Sequence, residues 1–362
     1  MKGLEIASTR LQHQGIADPK FRSPYEVVKW LGAMQAQDYL GALWAVGLRF
    51  PAARETDVVK ALTKGSIVRT WPQRGTLHLV APEEVRWRLS LSAGRMLAKA
   101  KSRHEGLRLD ERVFDKCKQL FTDALQGGKQ MTRPRMLELL EENGIAAKNQ
   151  RGSHILWQAA QTGHIIFAAP EGKQQTFALL EEWVPKVPEV SRAEALARLT
   201  KSYFTSHGPA TVADLAWWSD LTLTEIRQGL EEVRSELHQE AVDGITYWMR
   251  KDPAIGYDPI AKTKGVWLLP GFDEYLLGYK DRTAVLDLEH HPKVVPGKNG
   301  MFLSTVVLDG KVAGTWRRVV KKNEVSISVT PFYKFTLAQK KLITEAANSY
   351  SQFLGLPSMI TF

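Results

Sequence analysis

One pattern recurs three times along this chain: two or three short helices with one apolar face, then two β-rich stretches joined by a turn that contains glycine. The clearest copy runs from Pro209 to Met249. Between Thr211 and Trp218 the apolar residues Val212, Leu215, Ala216 and Trp218 fall near the spacing that gives a helix a single apolar face. A second helix opens at Thr222, where Glu225 completes a capping-box signature: hydroxyl and carboxylate satisfy the first free amides of the helix reciprocally. Its stripe reads Leu223, Ile226, Leu230 and Val233. His238 to Met249 is then β-rich and broken by Asp243-Gly244, which suits a type I′ turn because both central residues need positive φ. Helix, helix and hairpin in this order predict a winged helix-turn-helix, a module of nucleic-acid recognition.

In the second copy, Thr132 caps a helix through Leu140, Asn143-Gly144 breaks it, and a helix from Ser153 to Gln161 stops at Gly163. Its hairpin is His164 to Ala169, a Glu171-Gly172 turn, and Gln175 to Leu180. The first copy has helices from Ser23 to Met34, Gly41 to Val46 and Thr56 to Thr63, then Ile67 to Trp71 and Thr76 to Val80 joined around Gln73, Arg74 and Gly75. Any one copy also fits a helical core interrupted by a hairpin; threefold repetition favours tandem winged helices. After Met249 the character changes. Pro253, Gly256, Pro259 and Gly265 punctuate a linker, and strands are predicted at Val266 to Leu269, Thr305 to Leu308, Lys311 to Trp316 and Val325 to Val329. Asp309-Gly310 makes another hairpin turn, and a helix from Leu337 to Leu354 follows. The expected fold is therefore α+β: winged helix 1 over 1–81, a helical connector with winged helix 2 over 82–186, winged helix 3 over 187–252, and a β-barrel-like domain over 253–362.

A chain of 362 residues with 44% apolar content is long enough for several such units around a sizeable core. Its formal charge of +10 favours a polyanionic partner. Basic residues crowd two places: Arg86, Arg88, Arg95, Lys99, Lys101, Arg103 and His104 after the first hairpin, and Arg317, Arg318, Lys321 and Lys322 further on. Such clusters bind phosphates with salt-dependent affinity or form solvated faces. The single cysteine, Cys117, excludes an intramolecular disulfide and a thiolate metal cluster and fits a reducing compartment. No run has membrane-spanning length and no secretory apolar core stands near residue 1, so a soluble, cytoplasmic protein is expected.

The stretch Leu268 to Arg282 reads Leu-Leu-Pro-Gly-Phe-Asp-Glu-Tyr-Leu-Leu-Gly-Tyr-Lys-Asp-Arg. It resembles the signature of the bacterial winged-helix DNA glycosylases of the AlkZ/YcaQ type, and the resemblance extends over essentially the whole chain, including the order of modules. It implies a nucleoid-associated enzyme free of cofactors, whose partner is double-stranded DNA carrying alkylated bases or interstrand crosslinks; nothing in the sequence requires more than a monomer. It also implies a catalytic signature of two polar residues flanking an apolar one, which falls on Gln35-Ala36-Gln37. By itself a Gln-x-Gln reads as two solvated glutamines. Ser23-Pro24-Tyr25-Glu26 starts a helix, with Ser23 as cap, Pro24 first and Glu26 completing the box, and Val27, Trp30, Leu31 and Met34 form its buried stripe. Residues two apart on a helix point about 200° apart. If both glutamines act, the helix must end or distort near Met34.

Glutamine suits one kind of leaving group. A neutral amide is no general base, yet it accepts from a water and orients it, and its carbonyl dipole favours an oxocarbenium-like sugar. A normal base needs protonation by a positioned acid. An N7- or N3-alkylated purine already carries the charge and leaves neutral, so a positioned water suffices. Part of the resembling family carries aspartate where this chain has Gln37, and this variant is similar to the crosslink-unhooking branch. No lysine is placed as a Schiff-base nucleophile, which predicts monofunctional hydrolysis.

Asp38 could activate a water but reads first as a surface aspartate after a helix. Asp273 and Glu274 form an adjacent carboxylate pair expected to orient Arg282 or the edge of the sheet. His290-His291-Pro292 lacks further ligands at metal spacing, so no metal is expected. Trp217 and Trp218 read as core. Trp71, Arg74 and His78 lie in a stretch that the resemblance includes, with Arg74 at a hairpin tip. Leu286 to Asn299 looks like a basic hairpin or loop, and the resemblance implies that it engages DNA through Lys293 and Lys298. Arg74, Arg95, Lys99, Lys293, Lys298, Arg317 and Arg318 are the expected DNA contacts. The rival reading is a non-enzymatic winged-helix regulator, because fold alone does not fix chemistry.

Overall fold

Paired positive-φ residues set the hairpins. Asp243 and Gly244 take φ of 49° and 77°, and strands Leu237–Val242 and Ile245–Arg250 close around them with Val242 opposite Ile245. Asp309 and Gly310, at 50° and 87°, join Thr305–Leu308 to Lys311–Val320 in the same way. The computed structural model describes residues 3–172, 174–251, 263–297 and 300–362. These form an α+β chain that divides into two units, one of residues 1–58 with 196–362, the other of residues 59–195.

In the first unit, Thr222 and Glu225 make the expected reciprocal cap of helix Leu223–Val233, and Thr211 with Asp214 does the same for Val212–Ser219. Five strands form one sheet in the order Ser358–Thr361, Val325–Pro331, Lys311–Val320, Thr305–Leu308, Val266–Leu269. Every neighbouring pair is antiparallel except the first, which is parallel. The expected barrel-like closure is not seen: among the described residues this sheet is open, with two edge strands and no pairing between them. Helix Leu337–Leu354 begins at a Thr336/Gln339 capping box and ends where Gly355 turns to φ 67°. Leu11, Tyr275, Val285, Leu286, Val307 and Val312 belong to the core of this unit.

The other unit is built on helices Val85–Gly106, Glu111–Leu125, Arg133–Glu142 and Arg151–Gln161. Its strands run in the order Thr76–Val80, Val68–Gln73, Ile165–Phe167, Thr176–Leu179, Met131–Thr132, so the hairpins of the first two sequence copies share one sheet through Arg69 opposite Phe167. Phe121, Met136, Leu140, Ile155 and Phe177 fill its core. The basic cluster on Val85–Gly106 is only partly a solvated face. Arg88 is buried and paired with Glu84 at 2.7 Å, and His104 is buried. No helix among the described residues is long and apolar enough to cross a membrane.

Candidate active site

The Gln-x-Gln segment is shaped by the end of the helix before it. Ser23 Oγ accepts from the Glu26 amide, Pro24 stands in the first turn, and the Glu26 carboxylate takes the Arg22 amide at 2.9 Å rather than closing the box on Ser23. The helix runs only over Pro24–Leu31. Gly32, at φ 77°, turns the chain out of the helical path, so that the helix stops at Leu31, three residues short of the expected end at Met34. Met34–Gln35 is then extended and Gln37 follows in a bend, so the divergence of about 200° on a regular helix does not apply here. The geometry a helix forbids is thus open to Gln35 and Gln37. Gln35 is buried at 8% exposure, Ala36 is fully buried and Gln37 is exposed.

Asp38 ends this segment and begins the next helix, Tyr39–Gly47. Its carboxylate accepts from the Gly41 amide at 3.1 Å as a cap, and a Cβ at Gly41 would stand 2.5 Å from that carboxylate. The same group is held by Arg318 Nη2 at 2.7 and 2.9 Å. Sequence reasoning missed this pair, which lies 280 residues apart in the chain and has no local signal.

On the other side of the triplet stands Glu274, in the short helix Glu274–Leu277, with 1% of its surface exposed. Its Oε1 accepts from the backbone amide of Gln35 at 3.1 Å, and its Oε2 accepts from Trp218 Nε1 at 2.8 Å. His207 Nε2 lies 3.4 Å from Oε2, its ring stacked on Tyr203 with centroids 4.7 Å apart. Burial holds the His207 imidazole below its ordinary pKa, although Glu274 pulls the other way. The tyrosine hydroxyls around it are pushed up by burial: Tyr203 donates to the Gly278 carbonyl and Tyr279 to the His207 carbonyl. Asp273 of the pair is turned to Arg49 rather than to Arg282. Asp273 forms a two-point ion pair with Arg49 at 2.9 Å, both side chains buried, while the Arg282 guanidinium lies over the rings of Trp217 and Phe302. Trp218 is core, as expected, and Trp217 is half-buried.

The remaining candidates are dispersed. Arg317 is exposed and Arg318 half-buried on strand Lys311–Val320. Lys293 is exposed, but residues 288–294 form a 3-10 turn and a short helix instead of a hairpin, with the Lys293 ammonium 5.1 Å from the centre of the Phe332 ring. Lys298 lies outside the described residues. In the other unit, Arg74 and Gly75 both have positive φ at the hairpin tip, and Arg74 is half-buried with Nη2 3.3 Å from His78 Nε2. Arg95 and Lys99 fall one helical turn apart on Val85–Gly106, half-buried and exposed respectively. Among the described residues no three His, Cys, Asp or Glu side chains gather as a metal site. A groove of about 720 Å³ lined by Trp44, Phe50, Trp267 and Phe353 includes neither glutamine.

Comparison with known proteins supplies the chemistry that this geometry leaves open. The family model described as DNA glycosylase AlkZ-like matches residues 28–353. The chain is 29% identical over 344 residues to an interstrand DNA cross-link repair glycosylase of Streptomyces sahachiroi, covering 91% of this chain and 90% of that one. The solved structure of the Streptomyces sahachiroi DNA glycosylase AlkZ superimposes with a TM-score of 0.80 at 26% identity, covering 99% of each chain. The protein is therefore a DNA glycosylase, a hydrolase of N-glycosyl bonds, and the regulator reading falls away. Within that class, the chain belongs to the AlkZ-like family.

Proposed function

We propose that this glycosylase removes cationic alkylated purines from double-stranded DNA, N7-alkylguanine foremost, with N3-alkyladenine and interstrand crosslinks as further substrates. The observation that carries the reading is the break at Gly32, which frees Gln35 and Gln37 from helical divergence. The two amides orient a water toward C1′. Its oxygen bonds to C1′ as the electron pair of the C1′–N9 bond withdraws into the purine and cancels the positive charge there. The surplus proton passes to solvent, since neither amide can hold it. No positioned acid is required, because the leaving base departs neutral. The likeness to the Streptomyces sahachiroi cross-link repair glycosylase supports bulky lesions as substrates.

In this reading three winged helix-turn-helix modules and the sheet domain, divided at 81, 186 and 252, grip the duplex as a monomer in the bacterial cytoplasm. Arg74, Arg95, Lys99, Lys293, Lys298, Arg317 and Arg318 supply the DNA contacts, with the charge of Arg318 already shared with Asp38. The test is incubation of the protein and of a Gln35→Ala/Gln37→Ala variant with a labelled duplex carrying one N7-methylguanine, or one crosslink, followed by alkali. Lesion-dependent strand breaks with the wild type alone, binding being equal, are the expected result. Intact strands from both substrates despite tight binding would overturn the reading.

A further inference from the structure

Gln35 sits on a two-residue strand, which is too short to fix a side chain by itself. Its backbone amide donates to a carboxylate from 239 residues away in sequence. From these contacts we infer that Glu274 is the positioning residue of the Gln35 amide. The inference rests on the reading of Gln35 as a water-orienting group.

A carboxylate with 1% exposure is costly to bury, and a well-packed apolar residue would fill the same space at less cost. Its two oxygens are instead used in opposite directions. Oε2 is tied to Trp218 Nε1 and faces His207, whose ring is itself clamped against Tyr203 and whose Nδ1 lies 2.9 Å from Ser206 Oγ. Oε1 is left for the amide of Gln35. Rigid aromatic packing on one side thereby fixes the peptide from which Gln35 projects on the other. In a buried setting of low dielectric such bonds are strong and directional. Misplacement of a water-orienting group by about 1 Å is enough to cost on the order of a hundredfold in rate.

Glu274→Gln is the informative substitution because Gln35 N–H and Trp218 Nε1–H each donate to a different carboxylate oxygen, with His207 Nε2 also facing Oε2. An amide side chain offers one acceptor and one donor group, so one of the two bonds is lost. Adding Trp218→Phe removes the competing donor, and the carbonyl of the introduced amide is then free to turn back to Gln35. The substrates are duplexes carrying one N7-methylguanine or one crosslink. Expected for Glu274→Gln are single-turnover base release slower by about tenfold or more, a DNA Kd within about twofold of wild type, and faster hydrogen exchange at the Gln35 amide. The double variant should release base faster than Glu274→Gln alone. Release by Glu274→Gln within about twofold of wild type, or a double variant no faster than the single, overturns the inference. Should Glu274→Gln fail to fold, Glu274→Asp keeps the charge but falls one methylene short of Gln35, and the same two criteria of rate and exchange decide. A wild type that releases nothing from either substrate refutes the substrate reading instead, and exchange at the Gln35 amide still decides the anchoring.

Discussion

Arg318 grips both carboxylate oxygens of Asp38, at 2.7 and 2.9 Å, one residue beyond Gln37, while the same carboxylate caps the helix that follows. The candidate segment is therefore tied at its far end to the sheet strand Lys311–Val320. Arg318→Ala should lower stability by only about 1 kcal/mol, because Asp38 is a third exposed and keeps its capping role. Base release should fall more than DNA affinity does. Equal losses in rate and affinity, in single-turnover assays beside binding titrations, would reduce Arg318 to a phosphate contact.

Its neighbour Arg317 is exposed on the same strand, and no carboxylate ion pair compensates its charge among the described contacts. Removing it should weaken binding to damaged and undamaged duplexes alike and lower the slope of log affinity against log salt by about 0.9, the contribution of one phosphate contact. Affinity measured across a salt series checks this. An unchanged slope would take Arg317 off the DNA interface.

The ion pair of Arg49 with Asp273 is buried on both sides, so removing one partner leaves an uncompensated charge. Asp273→Asn should cost about 3 kcal/mol or more in urea unfolding. Replacing both residues by apolar ones of similar volume should recover much of that loss. A single variant within about 0.5 kcal/mol of wild type would mean that water or another group compensates Arg49.

What the sequence disclosed about this molecule is mostly what short segments determine alone. Asp243-Gly244 and Asp309-Gly310 announce their turns because few residue pairs accept two positive φ values in succession. Thr222 with Glu225 announces a helix start through bonds that span three residues. Gly32 carries an equally local signal for the helix end at Leu31, but the apolar stripe continuing to Met34 masks it. Pairings across long separations leave no such trace. The parallel strand Ser358–Thr361, the shared sheet at Arg69 and Phe167, and the two anchors of the candidate segment, Glu274 and Arg318, depend on tertiary packing that no window of sequence contains.

His207 makes stability depend on pH in a definite direction. Burial lowers its pKa below the ordinary histidine value of 6.5, so the unfolded chain takes up a proton first as pH falls. Stability that is whole above about 6.5 is then lost as the pH falls toward the depressed folded value. His104, His154 and His164 are lowered in the same sense, also chiefly by burial. Urea midpoints should therefore drop between about pH 7 and about pH 5.5, and His207→Gln, though less stable at neutral pH, should drop less steeply. Equal slopes for the two proteins would show that His207 does not contribute.

Gln37 separates water orientation from simple contact. It is exposed, so truncation opens no cavity, and Gln37→Ala should leave folding within about 0.5 kcal/mol of wild type. Removing a preorganised dipole from a developing positive sugar should slow single-turnover release of N7-methylguanine by on the order of a hundredfold. Binding should change little, since the bond is strongest in the transition state and a neutral amide carries no counterion release. Gln37→Glu supplies an acceptor with full charge at nearly the same reach, and if orientation of water is the function it should retain more activity than alanine. An alanine variant whose loss appears entirely in Kd, with the bound rate unchanged, would place Gln37 among the DNA contacts and leave Gln35 as the sole water-orienting residue.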